Sequence, residues 1–105
     1  MPVSVVLTTT PDARSAKRIA EFLIRKKVAA CVSILGGVQS VYRWKGMVER
    51  SRENLLLIKT DSRLYSKLEN VLKAVHPYDT PEIIALSAKR GSKAYLKWIT
   101  DSVGQ

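Results

Sequence analysis

The sequence predicts an α+β fold of ferredoxin-like plan, βαββαβ with an extra C-terminal helix. One mainly antiparallel four-stranded sheet should carry both main helices on one face. Three observations lead there. Strand-like and helix-like stretches alternate in that order within 105 residues, which is one domain's length. Lys45-Gly46 is a turn that folds two long β-rich stretches into a hairpin. Strand–helix–strand crossovers are right-handed in about 98% of cases, and that handedness brings both helices to the same side.

Val3-Ser4-Val5-Val6-Leu7 is rich in β-branched residues and reads as the first strand, ending at Thr8-Thr9-Thr10. Thr10 then serves as a helix cap, with Pro11 at the first helical position and Asp12 complementing the positive end of the dipole. Ala16, Ile19, Ala20, Leu23 and Ile24 recur at helical spacing, and the helix should stop at Lys26-Lys27. Val28 to Ile34 is the second strand, with Val28, Ala30, Val32 and Ile34 on one face. Gly36-Gly37 interrupts it as a bulge or bend before Val38 to Trp44 resumes. Met47 to Thr60 returns as the third strand. Asp61 or Ser62 caps a second helix whose stripe is Leu64, Leu68, Val71, Leu72 and Val75. Two prolines within six residues make 76–81 a loop. Glu82 to Ala88 is the fourth strand, and Gly91-Ser92 opens a closing helix carrying Tyr95, Trp98 and Ile99.

A sheet with one solvated face should alternate apolar and polar residues. Leu55-Leu56-Leu57-Ile58 and Ile83-Ile84-Ala85-Leu86 do not alternate, and the helices can cover only one face. A second copy of the chain is the expected cover for the other.

Apolar residues make up 46% and charged residues 26%, ordinary values for a globular domain, which excludes disorder. The apolar runs are too short to span a membrane. No leader-like segment precedes Val3, and the single cysteine, Cys31, permits neither an internal disulfide nor a four-cysteine zinc site. A cytoplasmic protein is expected. Eighteen Lys and Arg against nine Asp and Glu give +9. The basic residues are scattered over helix faces, so the charge predicts weak, salt-sensitive attraction to nucleic acid and no specific nucleic-acid site.

Few residues offer chemistry. His76 is the sole histidine, and no serine in a nucleophile elbow accompanies it. On its loop beside Tyr78, Asp79 and Glu82 it reads as a metal ligand or as a turn residue before Pro77. Cys31 lies mid-strand, as a partner for His76 or as an inert buried thiol. Tyr42 and Trp44, flanked by Arg43 and Lys45, read as a base-stacking platform or as aromatics packing into a core or partner. Neither glycine pair has phosphate-loop or dinucleotide spacing.

The segments Val28-Ala29-Ala30-Cys31-Val32-Ser33-Ile34 and Ser40-Val41-Tyr42-Arg43-Trp44-Lys45-Gly46 resemble the signature of the CutA family, the divalent-cation tolerance proteins. The likeness continues through Leu57-Ile58-Lys59-Thr60, His76-Pro77-Tyr78-Asp79-Thr80-Pro81-Glu82-Ile83 and Tyr95-Leu96-Lys97-Trp98. It implies a non-enzymatic homotrimer of ferredoxin-like subunits with sheets facing inward, similar to the PII regulatory proteins. It also implies a role in tolerance of copper and other divalent cations. Some bacterial members carry a proposed copper-ligating cysteine at the position of Thr8 and a histidine at that of Val75. This sequence has neither, so the expected metal set is His76, Cys31 and Glu82, holding copper or another divalent cation weakly. Tyr42, Trp44, Lys59, Tyr78 and Trp98 match the family and are expected to line a cleft or interface between subunits. The alternative reading is a PII-like regulator binding a small anionic ligand there, with Lys59, Arg43 or Lys45 as charge partners.

Overall fold

The computed structural model describes residues 2–104; the expected domain, 1–105, includes Met1 and Gln105, which lie outside the described residues. The elements run β1 (Val3–Thr10), α1 (Ala13–Arg25), β2 (Cys31–Trp44), β3 (Met47–Asp61), a short 3₁₀ turn (Ser62–Leu64), α2 (Tyr65–Val75), β4 (Ile84–Ala88) and α3 (Lys93–Asp101). The four strands form one open sheet in the order β2-β3-β1-β4, and every neighbouring pair is antiparallel.

Local chemistry sets the boundaries. Asp12, not Thr10, caps α1: its carboxylate accepts from the Ser15 N–H at 2.8 Å, while the Thr10 hydroxyl donates to the Asp12 carbonyl. Thr10 is still paired with Asn54 in the sheet, so its backbone is committed to β1. At the other end Lys27 takes a left-handed conformation (φ 58°), and the N–H groups of Lys27 and Val28 donate to the carbonyls of Ile24 and Leu23. That crossed pair closes the helix as a glycine-type cap would. It also explains why β2 begins at Cys31 and not at Val28: the Val28 N–H is already spent on the helix end. Val28 and Ala29 are instead buried as a connection, with the Val28 carbonyl accepting from Thr60 Oγ1 at 2.7 Å. Leu64 falls in the 3₁₀ turn, which Asp61 caps by accepting from the Arg63 N–H, and α2 proper starts one residue later. β4 starts at Ile84, two residues later than expected, where its pairing to β1 begins at Leu7–Ile84.

The core lies between the sheet and α1 and α2. Val6, Leu56 and Ile58 from the strands meet Ala16, Ile19 and Leu23 from α1 and Leu68 and Leu72 from α2, all fully buried. Burial of each such large side chain is worth about 1.5–3 kcal/mol. The middle of the opposite sheet face is left open by α1 and α2, while its ends are buried at Val3 and Asp61 and at Thr9 and Glu53. Across it the register sets Leu86, Val5 and Lys59 in one row and Ile84, Leu7 and Leu57 in the next. Ile84 and Leu86 are half exposed, as is Leu35 at the far edge.

The β2–β3 hairpin is longer than the rest of the sheet needs, and it stretches the molecule to 44 × 26 × 22 Å. Its register slips between Leu35 and Val38, where Gly37 (φ 72°) supplies the bulge. Its tip closes on Lys45 and Gly46, both at positive φ, a turn whose twist matches that of the strands.

Candidate functional site

The projecting hairpin and the loop that follows α2 enclose an open cleft of about 710 Å³. Alternation along β3 puts Ser51 and Glu53 on the same face as Leu55 and Leu57, so the cleft continues the uncovered apolar surface. Across the hairpin Ser40 pairs with Ser51 and Tyr42 with Glu49, which turns Tyr42 and Trp44 toward the same side. The loop supplies the other wall through Pro77, Tyr78 and Glu82.

Glu53 anchors the two walls. It is only 9% exposed, and its Oε2 accepts from the Tyr78 hydroxyl at 2.8 Å. Burial first, then this bond and the negative charge of Glu53, push the Tyr78 phenol far above the ordinary tyrosine range. Next to them Ser51 Oγ is buried with no hydrogen-bond partner, an arrangement that costs about 1–3 kcal/mol if nothing occupies its neighbourhood.

His76 stands behind this wall. Its Nδ1 accepts from the Tyr78 N–H at 3.1 Å, which leaves the proton on Nε2 to be donated to Thr8 Oγ1 at 3.0 Å. Its ring lies 5.1 Å from that of Tyr78. Burial is the largest influence on the imidazole and lowers its pKa below 6.5, against an upward pull from the Thr9 backbone and Glu53. Both ring nitrogens are therefore engaged within the fold. Thr8 is fully buried, and Val75 packs against the core.

The residues expected to hold a metal are not brought together. His76 pairs with Thr8, Glu82 is exposed at the cleft edge, and Cys31 sits at the start of β2, where Lys59 Nζ lies 4.0 Å from its sulfur. Among the described residues no group of three or more His, Cys, Asp or Glu side chains is placed to hold an ion. Of the expected cleft residues, Tyr42, Trp44 and Tyr78 do share the cleft. Lys59 does not: it donates to Ser33 Oγ at 3.0 Å on the open sheet face. Trp98 is on α3, half exposed and stacked on Tyr95 with centroids 5.8 Å apart. Arg43 reaches for the Gly46 carbonyl at the hairpin turn, and Lys45 sits 6.0 Å over the Trp44 ring, so neither lines the cleft.

The sequence pattern singled out neither Glu53 nor Ser51, which fall inside the third strand. The signal was present: on the face that carries Leu55 and Leu57, a glutamate two residues away is out of place unless something neutralises or uses it.

The sequence pattern of the family described as "CutA1 divalent ion tolerance protein" matches residues 4–102. The divalent-cation tolerance protein CutA of Thermus thermophilus is 44% identical over 100 residues, which are 95% of this chain and 97% of that protein. Human protein CutA is 40% identical over 104 residues, 96% of this chain but 58% of the human protein. The chain thus spans nearly all of that bacterial relative and a little over half of the human one. Among solved structures, CutA1 of Oryza sativa superposes with a TM-score of 0.96 at 44% identity, covering 100% of this chain and 96% of that one. The Thermus thermophilus protein gives 0.94 at 43%, covering 97% and 99%. Relatives differ in stated location, the Oryza protein being called chloroplastic and that of Archaeoglobus fulgidus periplasmic. In the present chain no helix among the described residues is long and apolar enough to cross a membrane.

Proposed function

Because the chain belongs to the CutA1 divalent ion tolerance family, we propose that it works as a non-enzymatic, cytoplasmic homotrimer of ferredoxin-like subunits with a role in divalent-cation tolerance. The uncovered sheet face carries the assembly half of this reading. Leu86, Ile84, Val5, Leu7, Leu57 and Leu35 form an apolar surface across all four strands, with α1 and α2 occupied on the other side. A continuous apolar face of this kind is buried in stable proteins, and copies packing sheet to sheet would bury it. Light scattering after gel filtration is expected to return three times the chain mass, and Leu86→Glu is expected to lower it. A well-folded wild-type monomer at micromolar concentration would overturn the assembly.

The residues present do not fit a resident copper ion, since both nitrogens of His76 are taken and Cys31 and Glu82 lie apart from it. The tolerance role is therefore proposed without a metal centre inside one chain. Calorimetric titration of Cu(II) is expected to give affinity no tighter than about micromolar. The same weak isotherm is expected for His76→Ala. A tight site lost in that variant would restore His76 as a ligand.

One observation favours a second reading, PII-like regulation by a small anionic ligand between subunits. The Lys59 ammonium lies on the face that other copies would cover, with Ser33 as its partner and no carboxylate paired to it among the described residues. A cation enclosed there calls for an anion. Thermal shift with phosphate-bearing nucleotides, compared in wild type and Lys59→Met, tests it. A shift that is equal in both would remove Lys59 from the reading.

A further inference from the structure

The cleft has the opposite charge character to the chain that builds it. The whole sequence carries +9, yet Glu53, Asp79 and Glu82 line the cleft and no lysine or arginine does. Its walls are aromatic, formed by Tyr42, Trp44 and Tyr78. The most buried of the acids, Glu53, forms no ion pair among the described residues. Ser51, two residues along the same strand face, completes the lining with its Oγ buried.

We propose that this cleft binds an organic ammonium ion, with a primary amine head on Glu53 and an apolar body against Tyr42 and Trp44. Each feature selects that chemistry. A carboxylate that has one hydroxyl donor, Tyr78, and no cation beside it is matched by an –NH₃⁺ group, which has three donors and no acceptor. Aromatic faces attract a cation and also stack an apolar body. An anionic ligand would meet three carboxylates and no base. A bare divalent ion would find one buried carboxylate and no converging ligand set. The volume, about 710 Å³, lies within the range of small-molecule sites and is too large for an ion alone. The inference goes beyond the proposed tolerance role, and every residue named in it belongs to one chain.

Phenethylammonium and phenylpropionate share an aromatic body and differ in the sign of the head group. Titrated into ¹⁵N-labelled protein at neutral pH, phenethylammonium is expected to shift the Trp44 indole and the amides of Ser51, Glu53 and Tyr78, while phenylpropionate leaves them in place. Glu53→Gln, which keeps the shape and removes the charge, is expected to weaken binding about tenfold or more. Trp44→Leu changes an exposed side chain and so leaves the fold intact; it is expected to weaken binding several-fold, which keeps the test open should Glu53→Gln fail to fold. The same samples are sized by light scattering, so failure to form a trimer is read separately from failure to bind. Equal shifts from the two probes, preference for the carboxylate, or no shift with phenethylammonium up to about 10 mM in whatever oligomeric state overturns the proposal.

Discussion

Removing a single oxygen atom, in Tyr78→Phe, tests the link between the loop and the hairpin. The Tyr78 hydroxyl donates to Glu53 Oε2 at 2.8 Å, and Glu53 is 9% exposed. A hydrogen bond to a charged group contributes about 1.5–3 kcal/mol net. The cleft side of Glu53 opens toward solvent, so the lower end applies, and the expected loss is about 1.5 kcal/mol. Phenylalanine leaves almost no cavity and keeps the Tyr78 N–H on His76, so other contributions should be small. Urea unfolding at fixed protein concentration measures the loss, and fixing the concentration matters because assembly would add to apparent stability. The double variant with Glu53→Leu, which removes the acceptor, completes a cycle whose coupling should account for most of the single-variant effect. A second readout isolates the electrostatics. One tyrosine of the wild type should resist ionisation well into the alkaline range, and in Glu53→Gln its titration should move down only part of the way, because burial is the larger cause. A loss below about 0.5 kcal/mol, or coupling near zero, would refute the reasoning that Glu53 and Tyr78 tie the two walls together.

Two further outcomes follow from backbone strain and proton linkage. Lys27 holds a left-handed conformation at the end of α1, so Lys27→Gly should raise stability by about 0.5–1 kcal/mol in the same urea assay, the relief of strain exceeding the entropy that glycine adds to the unfolded chain. The His76 imidazole is kept neutral by burial, with its folded pKa below the unfolded 6.5; the unfolded chain therefore takes up the proton first, and stability should fall as pH drops through 6.5 until the lower folded value is passed. His76→Gln should lose that component of the pH profile, and an unchanged slope between wild type and variant would remove His76 as its source.

The order of elements was legible in the sequence because it rests on local periodicity: Ala16, Ile19 and Leu23 on one helix stripe, Leu68 and Leu72 on the other, and Lys45-Gly46 between two β-rich runs. The misplaced boundaries were those where a backbone group had two possible partners. Thr10 is a good cap by composition, but its backbone stays in β1, and Asp12 takes the role. Val28 has strand character, but its N–H closes α1. Of the candidate site, the aromatics Tyr42, Trp44 and Tyr78 could be named in advance, yet not the partners that give them meaning.

By itself the sequence determined the α+β class, the family, and the presence of more apolar strand surface than two helices can cover. Each of these depends on residue type and spacing along the chain. Only the tertiary structure decided that His76 spends both nitrogens on Thr8 and Tyr78, that Cys31 lies with Lys59 and not with His76, and that Glu53 is buried beneath Tyr78. Apart from the local His76–Tyr78 bond, those pairings join residues 25 to 68 positions apart. They follow from strand register and from the path of one loop across the end of β1, and neither leaves a trace in local sequence pattern.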